Sequence, residues 1–461
     1  MQKISQESYP HKGAVHTPGG VEAQSTKVAQ TNREIHERRH SCLMEQVVQR
    51  ENMKSALDRV EYNKGAPGVD GITIKTFREH LKADWVSTRE KLLNGTYKPQ
   101  PVRRVEIPKP DGGVRLLGIP TVMDRLIQQA ILQILTPLID PTFSESSYGF
   151  RPKRGAHQAV EKARGYIAEG YTHVVDMDLE KFFDKVNHDI LMSKLAKRID
   201  DKRVLKTIRN YLQAGVMIEG IRVVTEEGTP QGGPISPLLA NVMLHDLDVE
   251  LTKRGHKFVR YADDCNIYVK SKRAGERVMQ NVKRFLEQQL RLKVNDAKSA
   301  VDKPWKRKFL GFTYAKVKEV VIRIAPKSIK RVEERIRQLT KKGTSQPMEA
   351  RIENLNSYLR GWIGYFYKAQ MRDRLDKLDK WIRRRLRACY LEQWKNPRTK
   401  RRNLVALGIP KEEASCISSS GKGCWRLSRT HQLNKALGLA YWREQKLISL
   451  VGRYDALRAS A

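Results

Sequence analysis

Two adjacent carboxylates stand between two short β-prone runs, in the sequence Tyr261-Ala262-Asp263-Asp264. The flanking runs, Phe258 to Tyr261 and Ile267 to Val269, predict a hairpin with this pair at its turn. Hairpin turns favour Asn-Gly or Asp-Gly, because positive φ is costly for other residues, so Asp-Asp is locally disfavoured there. A residue pair that is unfavourable for its local structure indicates a functional role for that pair. Adjacent carboxylates suit a hard cation such as Mg²⁺, although a solvated acidic turn is the commoner explanation for an isolated pair.

A second acidic pattern, Asp176-Met177-Asp178, ends another β-prone run that starts at Tyr171. A third carboxylate from a neighbouring strand would complete the set that paired metal ions need to bridge an attacking hydroxyl and a leaving phosphate. Alone, such a pattern is usually only an acidic surface. Carboxylates clustered in apolar strands are costly unless cations neutralise them, so the two patterns strengthen each other. Together they predict a divalent-metal site.

Two further segments have the residue types of a nucleotide site. The segment from Thr229 to Pro237 places glycines and prolines before a capped helix, which allows close approach of a ligand; a structural loop explains it equally well. Lys109 and Arg115 flank the turn of a hairpin predicted from Val102 to Ile107 and Val114 to Ile119. Lys109 is suited to bind a triphosphate as a point charge, and Arg115 through its bidentate guanidinium. The alternative is that both are ordinary exposed charges.

The composition favours a polyanionic partner. The 461 residues include 88 lysines and arginines against 51 acidic residues, a formal net charge of +37. Such a surface repels itself unless it meets a polyanion, so nucleic acid is the expected partner. A hydrophobic fraction of 39% excludes a disordered polyampholyte. Five scattered cysteines indicate a reducing compartment, and no apolar run approaches the roughly 20 residues of a membrane span, so a cytoplasmic protein without membrane contact is expected.

Composition also changes along the chain. Residues 1–40 are polar and lack apolar periodicity, which predicts a flexible leader. Helical patterns begin at Leu43, and a turn cluster from Gly65 to Gly71 separates them from a helix predicted over Ile72 to Leu81. After about residue 325 the pattern is that of successive amphipathic helices. Between Met371 and Arg402, 13 lysines and arginines stand against four acidic residues, a local charge of +9.

Several motifs, in one fixed order, resemble those of a known family. They are Gly68-Val69-Asp70-Gly71, Ile107-Pro108-Lys109 with Arg115 to Pro120, Tyr148-Gly149-Phe150-Arg151-Pro152, Asp178 with Phe182-Phe183-Asp184, Pro230-Gln231-Gly232, Tyr261-Ala262-Asp263-Asp264 and Lys308-Phe309-Leu310-Gly311-Phe312. This order is similar to that of the reverse transcriptases encoded by group II introns, the intron maturases. The resemblance covers roughly residues 45 to 455.

The resemblance implies an α+β fold of the right-hand polymerase type. Fingers and palm, with an antiparallel sheet, would occupy residues 41–325. An α-helical thumb, called domain X in maturases, would follow in 326–408, and a small helical, basic DNA-binding segment in 409–461. Many relatives end in an endonuclease module, whose paired cysteine spacing is not found here. Cleavage of target DNA is therefore not expected, and a nascent strand at a replication fork would supply the primer.

The resemblance also assigns site residues. Asp178, Asp263 and Asp264 would hold two Mg²⁺ ions for adding a deoxynucleotide to a primer 3′-hydroxyl, and Asp176 would lie outside that set. The residues expected to contact the nucleotide are Lys109, Arg115, Phe183, Gln231 and Lys298. Phe183 would exclude a 2′-hydroxyl, or would simply pack against Phe182. The residues expected to contact nucleic acid are Arg151, Arg383, Arg384, Arg385 and Arg387.

The implied function is that of an RNA-directed DNA polymerase that copies intron RNA during retrotransposition and binds that RNA to assist splicing. Its partners would be group II intron RNA, an RNA template with a DNA primer, target DNA and deoxynucleoside triphosphates. Two alternatives remain: an RNA-binding splicing factor with an idle polymerase, and a related bacterial reverse transcriptase used in phage defence or spacer acquisition. Intact aspartates disfavour the first, and the maturase-like thumb and tail disfavour the second. No oligomeric state is predicted.

Overall fold

The computed structural model describes residues 42–108, 112–218, 221–223, 227–229 and 232–460. The predicted leader, Lys109 and Gln231 lie outside the described residues. The strands are β1 Val102–Pro108, β2 Val114–Ile119, β3 His173–Met177, β4 Val216–Ile218, β5 Ile221–Val223, β6 Lys257–Tyr261, β7 Asp264–Val269, β8 Ala300–Asp302, β9 Phe312–Lys316 and β10 Val320–Ile324.

Helices make up most of the remaining described chain. They are α1 Leu43–Val47, α2 Arg50–Tyr62, α3 Ile74–Leu93, α4 Val122–Ile139, α5 Ala156–Ala168, α6 His188–Ala196, α7 Lys202–Gln213, α8 Ser236–Lys253, α9 Lys272–Gln289, α10 Pro326–Leu339, α11 Met348–Phe366, α12 Arg372–Gln393, α13 Pro397–Ala406, α14 Lys411–Ser418, α15 Cys424–Leu427, α16 His431–Ala436, α17 Leu439–Glu444 and α18 Leu450–Ala459. No helix within the described ranges is long and apolar enough to cross a membrane.

The described chain divides into two compact units. The first contains the described residues up to Thr142 and those from Lys181 to Met243. Its sheet has the order β2-β1-β4-β5, in which β1 and β2 form the antiparallel hairpin that the sequence predicts, with Ile107 opposite Arg115. Helix α4 follows this hairpin because Thr121 caps it: the Asp124 backbone N–H donates to Thr121 Oγ1 over 3.1 Å.

The second unit contains Phe143–Glu180 and the described residues from Leu244 onward. Its main sheet has the order β6-β7-β3-β8 with antiparallel neighbours, and β9 and β10 form a separate hairpin. Helices α10 to α18 follow in sequence. One hydrophobic core runs from Val259 of β6 through Phe312 of β9 to Leu355 of α11 and Trp442 of α17, because each element buries one apolar face. The chain is thus a mixed α+β protein whose described residues from Pro326 onward are helical, without strands.

Candidate active site

The hairpin of β6 and β7 places two carboxylates at its turn. The last paired residues are Tyr261 and Asp264, so Ala262 and Asp263 form a two-residue turn. Ala262 has φ +57, in the left-handed region that such turns require. The sequence predicted this hairpin correctly, but β7 begins earlier, at Asp264 rather than near Ile267. One carboxylate therefore lies in the turn and the next at the start of a central strand.

Strand β3 brings a third carboxylate to the same end of the sheet. It pairs antiparallel with β7, with Met177 opposite Cys265. One step further in this register sets Asp178 beside Asp264. The Asp178 backbone is held there by its N–H, which donates to Ser299 Oγ over 3.0 Å, and by its carbonyl oxygen, which accepts from the Asn295 N–H over 2.8 Å. The strand register thus brings Asp178 to the same end of the sheet as Asp263 and Asp264.

The electrostatics at this end disfavour an ionised Asp264. Burial raises the pKa of Asp264 well above its ordinary value, and the negative charges of Asp176, Asp263 and Asp178 raise that pKa further. Burial likewise raises the pKa of Asp176, against the opposing charge of Arg307, whose Nε lies 2.7 Å from Asp176 Oδ2. A hard divalent cation bound by these crowded carboxylates would relieve their mutual repulsion.

Two cations already approach these carboxylates. Arg307 pairs with Asp176, the carboxylate that the resemblance places outside the metal-binding set. Lys298, predicted to contact the nucleotide, has its Nζ 3.6 Å from Asp178 Oδ2, and its side chain is 66% exposed. In the described part of the chain, no three acidic, histidine or cysteine side chains already converge as a metal site. Side-chain rotation at the strand ends is therefore needed for shared coordination.

The motif from Tyr148 to Pro152 lies directly against the acidic turn. A Cβ on Gly149 would come 2.3 Å from the Ala262 backbone nitrogen, so only glycine fits there. Phe150 has φ +57, is 53% exposed, and its ring centroid lies 6.3 Å from that of Tyr261. Arg151, expected to contact nucleic acid, is instead buried and donates to the Ser144 carbonyl over 2.6 Å. Within this structure its guanidinium stabilises the protein itself.

Within the first unit, Phe183 and β2 line a cavity of about 300 Å³. Phe183 is half-buried, whereas Phe182 is buried and meets it edge-on at 5.1 Å. Leu117, Gly118 and Thr229 are also among the lining residues. Arg115 is exposed on β2.

The two glycines of the Thr229 to Pro237 segment lie close to other atoms of this unit. A Cβ on Gly232, whose φ is +126, would meet the Gly118 carbonyl oxygen at 2.6 Å. A Cβ on Gly233 would meet the Gln128 side-chain oxygen Oε1 at 2.5 Å. These glycines thus allow close approach to the protein's own atoms, and the nucleotide-binding alternative for this segment stays a prediction.

The arginines of α12 are largely engaged within the protein. Arg384 lies 3.8 Å from the centroid of the Trp425 ring, and Arg385 donates to Thr340 Oγ1 over 2.5 Å. Arg387 is buried and donates to the Ser428 carbonyl over 2.9 Å; burial lowers its pKa to about 10. Arg383 is half-buried. Since these contacts join α12 to the segments around it, the arginines have structural roles that their charge run did not reveal.

Sequence reasoning missed two ion pairs that lie close to the acidic turn. Arg260 and Asp248 form an ion pair with no exposed side-chain surface, and Arg307 neutralises Asp176. The available signal was an arginine inside an otherwise apolar strand, next to buried Phe258 and Val259. A buried arginine must have a partner, but only the fold identifies which acidic residue supplies it.

Two known protein families match segments of this chain. Residues 107–314 match the family described as reverse transcriptase (RNA-dependent DNA polymerase), and residues 329–408 match the group II intron maturase-specific domain. The chain is 34% identical over 279 residues to Protein YkfC of Escherichia coli K12. The aligned region covers 52% of this chain and 73% of YkfC. It is 40% identical over 172 residues to the group II intron-encoded protein LtrA of Lactococcus lactis subsp. cremoris.

The LtrA match covers 37% of this chain but only 28% of LtrA. Among solved structures, a chain of the "Partial Cas6-RT-Cas1--Cas2 complex" is similar at 26% identity, with 54% of this chain and 43% of that chain covered and a TM-score of 0.36, too low to support an argument. The two matched domains imply nucleic-acid substrates and binding of intron RNA. The ordered motifs and both domains lead to one conclusion: the chain is a reverse transcriptase that belongs to the group II intron reverse transcriptase/maturase family.

Proposed function

We propose that this protein copies intron RNA into DNA during retrotransposition of a group II intron, and that it binds the same RNA to assist splicing. The observation that supports the polymerase part is the strand register that brings Asp178 to the same end of the central strands as Asp263 and Asp264. The splicing part is supported by the maturase-specific match over residues 329–408. The polymerase would have fingers and palm in 41–325, a thumb in 326–408 and a DNA-binding segment in 409–461.

Asp178, Asp263 and Asp264 would hold the divalent ions that this family generally uses. The chemistry that two Mg²⁺ ions supply is activation of an attacking hydroxyl and neutralisation of charge on the leaving phosphate. The protein's own part is to orient these carboxylates, which the β-sheet register and the Asp178 backbone hydrogen bonds favour. Asp176 would remain an ion-pair partner of Arg307.

The remaining predicted residues would act around the nucleotide. Lys298 would approach the departing pyrophosphate, and its position beside Asp178 supports this role. Lys109 and Arg115 would bind the triphosphate. Gln231 would line the nucleotide pocket. Phe183 would exclude a 2′-hydroxyl, since its half-buried ring lines a cavity rather than filling the core as Phe182 does.

Primer extension on a long RNA template, run beside splicing of the cognate intron, tests both activities. Asp264→Asn should abolish extension, because a neutral amide cannot replace the carboxylate in a cation site, while RNA affinity stays within about twofold of wild type. Glu276→Gln, on the exposed surface of α9, is the control and should leave extension unchanged. Retained extension in Asp264→Asn would remove Asp264 from the proposed site. Splicing assistance without any extension by the wild type would favour the idle-polymerase alternative.

A further inference from the structure

The ion pair beneath the acidic turn is buried to an unusual degree. Arg260 and Asp248 have fully buried side chains, and the guanidinium donates to both carboxylate oxygens, over 2.7 Å from Nε and 2.6 Å from Nη2. Removing two charges from water costs several kcal/mol per ion, so a pair of apolar side chains of similar volume would often be as stable. Stability alone therefore does not account for this pair.

The same guanidinium also binds the turn itself. Nη1 of Arg260 donates to the Ala262 carbonyl oxygen over 2.9 Å. That carbonyl belongs to the residue with left-handed φ, immediately before Asp263. A non-glycine residue persists in this conformation only where its surroundings impose it. Arg260 thus restrains the peptide whose orientation decides where the next two carboxylates point.

A second contact joins Arg260 to the segment before Phe150. Nη2 donates to Ser147 Oγ over 2.8 Å. Backbone hydrogen bonds join the same two segments. The Arg260 N–H donates to the Ser146 carbonyl over 2.9 Å, and the Tyr148 N–H donates to the Arg260 carbonyl over 2.8 Å. One buried side chain therefore connects helix α8, this segment and the acidic turn, and an apolar side chain would lose the directional contacts to the last two.

We propose that Arg260 is a positioning residue that fixes the Ala262 carbonyl, and that Asp248 serves to hold the Arg260 guanidinium in the required orientation. Through this contact Arg260 presents Asp263 and Asp264 to a divalent cation without touching the cation. The inference rests on the proposed cation site. It differs from a purely structural role because it predicts a loss of cation affinity in variants that remain stably folded.

The test is a double variant, Arg260→Met with Asp248→Leu, which removes both charges together and keeps the volume filled. Its melting temperature should fall only by the cost of the lost bonds to Ser147 and Ala262, because removing both charges together leaves no unpaired buried charge. Its affinity for Mn²⁺, measured by titration calorimetry on the full chain without nucleic acid, should fall by roughly 10- to 100-fold, as is typical when an outer partner of a metal ligand is lost. The Mg²⁺ concentration for half-maximal primer extension should rise in parallel.

Two further variants complete the design. Arg260→Lys keeps a charge opposite Asp248 but has no second arm for the Ala262 carbonyl, so it should lose Mn²⁺ affinity in the same direction even if the double variant fails to fold. Glu250→Gln with Arg254→Gln removes the ion pair at the C-terminal end of the same helix, away from the turn, and should change neither property. Wild-type Mn²⁺ affinity in Arg260→Lys, or in a folded double variant, would overturn the inference. A wild type that binds Mn²⁺ but extends no primer would instead count against the proposed function alone.

Discussion

Lys298 lies near Asp178 because the loop before it is bound to the main chain of the same aspartate. The Asn295 N–H donates to the Asp178 carbonyl, and the Lys298 N–H donates to the Asn295 carbonyl over 3.1 Å. The side chain is more than half exposed, so the 3.6 Å ion pair contributes little to stability. The Lys298 ammonium instead matters for its position, beside a carboxylate at the end of the central strands.

Lys298→Ala should slow nucleotide addition by roughly 10²-fold, because a positioned proton donor typically contributes that much or more. Affinity for primer and template should be unchanged. Lys306→Ala is a matched control, since Lys306 makes a similar exposed ion pair, 3.8 Å from Asp302. Single-turnover kinetics at saturating nucleotide would measure the rate. Equal effects of the two substitutions would mean that Lys298 acts only as surface charge.

Residue types predicted the acidic turn better than they predicted the arginines. Asp263 was identified because it breaks a turn rule, and the structure refines this, since the left-handed residue is Ala262. Arg151 and Arg387 were assigned to nucleic acid, yet both are buried and bind main-chain carbonyls. Sequence alone does not distinguish an arginine that meets phosphate from one that meets a carbonyl, because the partner comes from elsewhere in the chain.

At the scale of elements, hairpins were predicted more reliably than helix bounds. The β1–β2 hairpin was confirmed because its turn and its apolar runs are local signals. The helix expected over Ile72 to Leu81 instead spans Ile74–Leu93. It starts later because the Ile72 N–H donates to Asp70 Oδ1 in a turn, and it continues because Phe77, Thr88 and Leu92 are all buried along it. Burial against other elements extends a helix beyond its local pattern.

The segment that supports the acidic turn offers a test at this scale. Gly149→Ala should destabilise the protein by about 1–3 kcal/mol and lower primer extension, because the added Cβ would displace the Ala262 backbone. Gly165→Ala, inside helix α5, meets no atom within 4 Å and should stabilise by about 0.5–1 kcal/mol without changing extension. Thermal unfolding with activity assays would compare the two. Normal extension by a folded Gly149→Ala variant would show that the turn tolerates the shift.

At the scale of the whole molecule, the net charge is +37, and the basic side chains behind it differ in role. Some make contacts within the protein and others face solvent. The arginines around position 385 join α12 to neighbouring segments through Trp425, Thr340 and Ser428. Helix α13 is different, because only Leu404 is buried on it. Its Arg398, Arg401 and Arg402 are exposed and lie within the maturase-specific match. We therefore expect α13, rather than the arginines of α12, to contribute phosphate contacts.

Replacing Arg398, Arg401 and Arg402 together with Gln should reduce the slope of log RNA affinity against log salt by roughly 2 to 3, since each lost phosphate contact removes about 0.7–0.9. The charge-matched control replaces Arg273, Arg277 and Arg284, which are exposed on helix α9, and should leave the slope unchanged. Filter binding of the intron RNA across a salt series, at constant Mg²⁺, measures both. Because the two triple variants remove the same net charge, a general electrostatic effect would lower both slopes equally and would contradict a specific role for α13.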